Sequence, residues 1–407
     1  MRGPFAYAWD DLAMDEFAPE RLATDAAEPP TVREPDSPRR HTWLWVTGAI
    51  VFAGLVITGV QLWANLSYDD AEEAFLHSRT AAQPATATLV ATMEHADKAT
   101  TAAKAVDGVT APELLSDEDR AALAAGAAEL AEENADAGRI GLDLPAAPRE
   151  KPVMPWDLFL RASDLQERTS ALEDRTETQD ATARSLSRSI RGVDELGGRI
   201  LDSAHAAVPA IEKASVDARF APIIELRKAA DEVGSARPDM DSSTSAGLLR
   251  LDKAVAAVRA SAESELAAKA GPLFEARRKA EAYARSISGG VLLEFVWTDR
   301  LLGQGSGESG AGTATWDGND GGTSHITLTN SIARYWPAEW TRALVTHEIG
   351  HAISAKCYDK FDWEDQDANE QWATAWAMSW GFSAYDSGAN IYGTPSKTMQ
   401  DAAKTCR

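Results

Sequence analysis

The sequence predicts an α+β chain dominated by helix: a membrane-crossing helix near the N-terminus, a long helical middle, and a small C-terminal domain of strands and helices. Three observations predict it. Residues 43–63 form an uncharged apolar run, positions between 158 and 211 recur every seven residues, and at Ser288-Gly289-Gly290 the composition changes to short β-rich runs separated by glycine. With 407 residues the chain has room for two or three domains, and its net charge of −23 argues against nucleic acid or an anionic membrane surface as the main partner.

Residues 1–42 carry six prolines and many acidic side chains without apolar periodicity, so they read as a disordered tail. The run over 43–63 begins and ends in tryptophan and contains no charge. At about 1.5 Å per residue it spans the roughly 30 Å hydrocarbon core, with Trp43 and Trp63 at the interfaces. Arg39, Arg40 and His41 precede it, whereas Asp69, Asp70, Glu72 and Glu73 follow. The positive-inside rule therefore places the N-terminus in the cytosol and the rest outside, a single-pass plasma-membrane topology. The leader is too long for an ordinary signal peptide, and no A-x-A site follows directly, so the span reads as an uncleaved anchor. High alanine usage and the absence of a cysteine-rich framework suggest a bacterial source.

Residues 64–142 are alanine-rich, acidic and helical in composition, and 143–156, with Pro145, Pro148, Pro152 and Pro155, read as a linker. Residues 157–287 read as a stalk. Leu158, Leu165, Leu172, Gln179, Leu186, Val193, Ile200 and Ala207 recur in heptads, and Ala162, Thr169, Thr176, Ala183, Ile190, Gly197, Ala204 and Ile211 form the alternating set. This pattern fits a coiled coil, hence a homo-oligomer through the stalk, and equally an antiparallel bundle within one chain. Pro209 and Ala221-Pro222 suggest interruptions, and a long helix over 246–287 is expected to pack back on the first.

In the terminal domain, 288–407, strands are expected over 291–297, 313–317 and 325–332, the last with Ile326 and Leu328 alternating with polar neighbours. A helix is expected from Pro337 to about Lys356, opened by Trp336-Pro337. It carries His347-Glu348-Ile349-Gly350-His351. Histidines four residues apart share one helix face, so both imidazoles reach one zinc ion, and Glu348 stands beside the water it would bind. The helix is apolar on two sides, and two buried histidines without partners are costly, which favours a metal. A catalytic zinc needs a third protein ligand. Asp362, Glu364, Asp365, Asp367 and Glu370 are chemically able to serve; Glu370 is chosen because it opens a second helical stretch in which Ala373 and Ala377 share its face and allow close approach. Its other reading is a helix-start carboxylate favoured by the dipole.

The motif His347 to His351, with Asn369-Glu370 beginning eighteen positions after His351, resembles the gluzincin branch of zinc metallopeptidases, over roughly the last 120 residues. The resemblance implies a zincin-like fold, one Zn2+ per chain held by His347, His351 and Glu370, Glu348 as general base, and a peptide or protein substrate. Thermolysin-like members have an aspartate four residues after the ligand glutamate, where this chain has Thr374, and a large C-terminal lobe, where only 37 residues follow Glu370. A minimal zincin domain is the closer comparison. In the zincin layout a sheet edge pairs with extended substrate, which here implies the strand ending near Asn330. Tyr385, and after it His325, are candidates to donate to the oxyanion, and each also reads as structural. Cys357 and Cys406 lie in one extracytoplasmic domain and read as a disulfide, with two free thiols as the other reading. Readings outside peptidase chemistry are an envelope protein whose zinc domain only binds, and a hydrolase of a non-protein amide such as a peptidoglycan cross-link.

Overall fold

A computed structural model describes residues 42–407 apart from residue 238. The predicted tail and the basic flank Arg39, Arg40 and His41 lie outside the described residues. The first helix, α1 (Thr42–Ala105), has 64 residues and runs unbroken through Pro84, a length of about 96 Å. Its apolar N-terminal part is long and apolar enough to cross a membrane, and none of that window is buried by other parts of the chain. A soluble core helix of this apolarity would be covered by its neighbours. The helix does not stop at residue 63; the alanine-rich segment simply prolongs it.

Helix α2 (Asp117–Ala137) is capped by Ser116, whose hydroxyl accepts from Asp119 N. It runs back beside α1, where Asn134 Nδ2 donates to Asp97 Oδ1 at 2.7 Å. The proline-rich segment continues the descent as a strap rather than a free linker. Arg79 Nε donates to the Pro145 carbonyl at 3.0 Å and Gln61 Nε2 to the Val153 carbonyl at 2.9 Å.

Helix α3 (Pro155–Ala214), 60 residues long, then rises parallel to α1. The register is set by Trp63 against Phe159 at 4.8 Å, Ser78 to Glu173 at 2.8 Å and Thr86 to Gln179 at 3.0 Å. The heptad positions from Leu158 to Ile200 are buried, and their partners are α1 and α2 of the same chain. An intrachain seam therefore covers the stripe that also fitted a coiled-coil homodimer, but it is parallel and not antiparallel as expected, because the descending strap returns the chain to the foot of α1 before α3 begins. Its polar members are satisfied: Gln179, 1 % exposed, accepts from Thr86 and donates to the Gly141 carbonyl at 2.8 Å. Gly197 admits the Met240 side chain, which a Cβ would strike. Pro209 lies inside α3 without ending it.

Helices α4 (Phe220–Ser235) and α5 (Ser242–Ala268) close the top of the bundle. The single helix expected over 246–287 is two, because Gly271, at φ +120°, and Pro272 separate α5 from α6 (Phe274–Ile287). Ala284 and Ile287 of α6 belong to the C-terminal core, so that core begins before residue 288. At the junction Lys269 (4 % exposed) and Glu281 (0 %) pair at 2.7 Å, with Asp217, Arg285 and the Trp297 indole around them. Burial of these charges is tolerated because each has a partner.

The terminal sheet has strands β1 (Leu292–Thr298), β2 (Gly312–Asp317) and β3 (Thr323–Thr329) in the order β1-β3-β2. Strand β3 is parallel to β1 and antiparallel to β2. The strand expected to reach Ile332 ends at Thr329, and a short helix α7 (Asn330–Tyr335) follows, burying Ile332. Helix α8 (Glu339–Ala352) packs under the sheet through Val345 and Ile349, starting two residues after Pro337. Short α9 (Ser354–Cys357) leads to α10 (Gln366–Ser379), and a turn at Tyr385–Ala389, α11 (Asn390–Tyr392) and α12 (Lys397–Lys404) complete the chain. Cys357 and Cys406 form a disulfide with both sulfurs in the core, so the pairing read from the sequence is the one present.

Candidate metal centre

Helix α8 presents His347 and His351 on one face, and α10 brings Glu370 against them. Glu370 Oε2 lies 3.2 Å from His347 Nε2 and 3.3 Å from His351 Nε2. The two helices approach closely because Gly350 faces Ala373, and Ala373 and Ala377 are fully buried. The small residues on the face of Glu370 thus serve as the sequence implied. Among the described residues, these three form the one group able to hold a metal ion, with ligand atoms within 4.8 Å of one another.

Each ring is oriented from behind. His347 Nδ1 lies 3.0 Å from the Ser387 carbonyl and His351 Nδ1 lies 3.0 Å from Asn369 Oδ1. Both contacts turn Nε2 toward the common centre, the arrangement that fixes the tautomer of a ligating imidazole. Glu370 Oε1 accepts from the Gln366 amide at 3.1 Å, which leaves Oε2 for the centre. A set of two imidazole nitrogens and one carboxylate, pre-oriented in this way, fits a divalent metal ion. Thr374 does not orient a histidine; the Ser387 carbonyl does that for His347 instead. The hydroxyl of Thr374 is buried with no partner.

Burial works against the charge on Glu370, yet the two imidazoles hold its carboxyl well below the usual range. For His351 burial is likewise opposed, and Glu370 and Glu348 raise its pKa above the ordinary value. Burial dominates at Glu348 and pushes its carboxyl up. Glu348 is 5 % exposed, and its Oε2 has no hydrogen-bond partner. It lies under Gly312 of β2, where a Cβ would fall 2.5 Å from Glu348 Oε1.

A cleft of about 400 Å³ opens beside these groups, lined by His347 and Glu348, by Trp340, Leu344, Leu302 and Ile391, and by Tyr385 and Tyr392. Tyr385 is at the rim, 71 % exposed. Tyr392, which the sequence reading missed, lies closer: its ring stacks on His347 at 5.6 Å, and burial together with Glu370 and Glu348 pushes its hydroxyl up to about 12. No spacing in the sequence marks Tyr392, because the turn at Tyr385–Ala389 brings it back. His325 is not in the site. It faces away from α8, beside Glu294 at 3.0 Å and Phe220 at 4.7 Å. Asp362, Glu364, Asp365 and Asp367 remain exposed, and Asp365 caps α10 through Asp367 N and Ala368 N.

The edge strand is also different from the one expected. Strand β3 is paired on both sides, so its backbone groups are used, and β2 is the edge beside α8. From Gly312 to Asp317 this edge runs from the cleft to a second groove lined by Trp316, Tyr358 and Trp363. No protein-family model matches the sequence, and no curated protein or solved structure is significantly similar to it.

Proposed function

We propose that this chain is a membrane-anchored zinc metallopeptidase that cleaves extended peptide segments laid along β2. The observation that carries the reading is the convergence of two pre-oriented imidazoles and Glu370 beside a buried, unpartnered Glu348. A zinc ion bound there would lower the pKa of a coordinated water toward neutrality and polarise the scissile carbonyl.

The chain's own residues have distinct tasks. His347, His351 and Glu370 hold the metal, with Asn369 and the Ser387 carbonyl fixing the rings. Glu348 Oε2 takes a proton from the attacking water and delivers it to the leaving nitrogen. An extended substrate adds as a strand to the free edge of β2, with alternate side chains entering the apolar cleft and the groove at Trp316, Tyr358 and Trp363. Tyr392 and Tyr385 are the hydroxyl donors near the developing oxyanion, and Tyr392 is the better placed because it stacks on a ligand.

The deciding experiment measures zinc per chain in the unmodified protein and in Glu370→Ala, then peptide cleavage by the unmodified protein and Glu348→Gln. About one zinc in the parent, most of it lost in Glu370→Ala, is expected, with cleavage lost and zinc kept in Glu348→Gln. A metal-free parent refutes the site, and an active Glu348→Gln refutes the role of the base. Zinc binding with no bond cut would make this an envelope protein with a binding domain. Cleavage of muropeptides alone would move the substrate to peptidoglycan.

A further inference from the structure

The start of α3 is apolar and uncovered where a water-facing helix should not be. Val153 is 79 % exposed, Trp156 61 % and Leu160 70 %, and Met154 beside them is also exposed. On an ordinary soluble surface such a patch marks an interaction site. Its position along α1 identifies what it meets. The Val153 carbonyl accepts from Gln61 and Phe159 packs on Trp63. Gln61 and Trp63 are the last residues of the apolar run, at the level where a tryptophan marks the boundary of the hydrocarbon. Because α1 and α3 are parallel and in contact, the tip of α3 stands at that same depth.

The charges agree. Lys151 pairs with Asp69 and lies over the Tyr68 ring at 5.5 Å, which puts the strap's last cation at the acidic band, outside the boundary. Trp156 and Leu160 share one helix face, and Asp157 and Arg161 share the next, so the contact reaches the headgroup and acyl boundary without entering the core. On the inner side, Leu158, Ala162 and Leu165 pack against Ala64, Tyr68 and Phe75, so this end of α3 is held rigidly to α1.

We infer that Val153, Met154, Trp156 and Leu160 form a second membrane contact, a lipid-facing foot beside the transmembrane helix. The occupant is the bilayer interface itself, continuous with the lipid that surrounds α1. Two points of attachment, unlike one, resist tilting of the α1–α3 pair.

The test uses the full chain in phosphatidylcholine vesicles. Both native cysteines are in the disulfide, so an introduced cysteine is the one free thiol. A polarity-sensitive fluorophore is placed in turn at Trp156→Cys, at Phe52→Cys within the span, and at Glu177→Cys, which is exposed on α3 about 31 Å further along. The label at 156 is expected to be blue-shifted, and quenched several-fold more by lipids spin-labelled high on the acyl chain than the label at 177. The label at 52 should respond most to deeply placed spin labels. A label at 156 that matches 177 in colour and quenching, with 52 still in lipid, overturns the foot alone. Aqueous signals at both 52 and 156 overturn the span and the foot together.

Discussion

Replacing Gly350 by alanine tests whether the close approach of α8 and α10 is what assembles the candidate metal centre. A Cβ at Gly350 would fall 2.7 Å from Ala373 Cα and 2.9 Å from its carbonyl oxygen. These are backbone atoms, so no side-chain rotation relieves the contact, and ordinary separation requires α10 to retreat by about 0.7 Å. Glu370 is one turn from Ala373 on the same helix and must move with it. Metal–ligand distances tolerate about 0.2 Å, so the retreat exceeds the tolerance about threefold. Zinc affinity is expected to fall about 10- to 100-fold, the range of losses when the support behind ligands is disturbed. Overpacking adds a stability loss of about 1–3 kcal/mol in the metal-free protein. Competition against a chromophoric chelator gives the affinity, and far-UV circular dichroism with thermal melting shows whether the variant is folded. Gly192→Ala is the control, since that exposed helical glycine has open space around its would-be Cβ and should gain about 0.5–1 kcal/mol. A folded Gly350→Ala protein that binds zinc within twofold of the parent would refute the reasoning.

Other outcomes follow from the same geometry. Gly312→Ala should displace Glu348, whose Cγ, Cδ and Oε1 all lie within 2.6 Å of the would-be Cβ; metal content should stay unchanged while peptide turnover falls at least tenfold, as measured on any cleaved peptide. Asn369→Ala frees the His351 ring and should weaken zinc binding about 10-fold or more in the same chelator assay, with little change in the melting temperature of the metal-free protein. Removing the Cys357–Cys406 disulfide, which closes a separation of 49 residues, should destabilise the C-terminal unit by about 4 kcal/mol in denaturant titrations. An unchanged midpoint in Cys357→Ser/Cys406→Ser would show that the core around Trp376 holds the C-terminus without it.

The sequence carried a large part of this arrangement wherever one helix supplied the information. Two histidines and a glutamate within five residues, a heptad stripe, and an uncharged run each depend on local periodicity, and the structure places them as that periodicity requires. What escaped depended on pairing between distant segments. Strand β3 has the alternation of a half-exposed strand, but nothing local states that both its edges are taken, so β2 went unrecognised as the open edge. Tyr392 and the Ser387 carbonyl reach the site through a turn whose path depends on Gly388 at φ +102°. The partner of the heptads was likewise hidden. Residues 64–105 show weak periodicity because alanine, being small, packs against α3 without a conspicuous stripe. Gln179 is a polar residue at a heptad position, and the groups that satisfy it, Thr86 and the Gly141 carbonyl, are both remote in sequence.

The parallel α1–α3 pair also fixes a height. From Trp156 to Ala214 the shaft measures about 87 Å along its axis, and the metal centre belongs to the unit joined to its upper end. Under the proposed anchoring and peptidase activity, an upright shaft would keep the site beyond the reach of any bond close to the lipid surface. On that reading a substrate rooted in the same membrane would qualify only if its own cleavable segment rose that far, and one embedded in a layer at that distance would qualify without being anchored at all. Selection by altitude is independent of the chemistry in the cleft. Deleting one heptad from α1 and from α3 together would lower the site by about 10 Å while keeping the seam in phase, so the set of accessible substrates should change with shaft length even when every residue of the site is untouched.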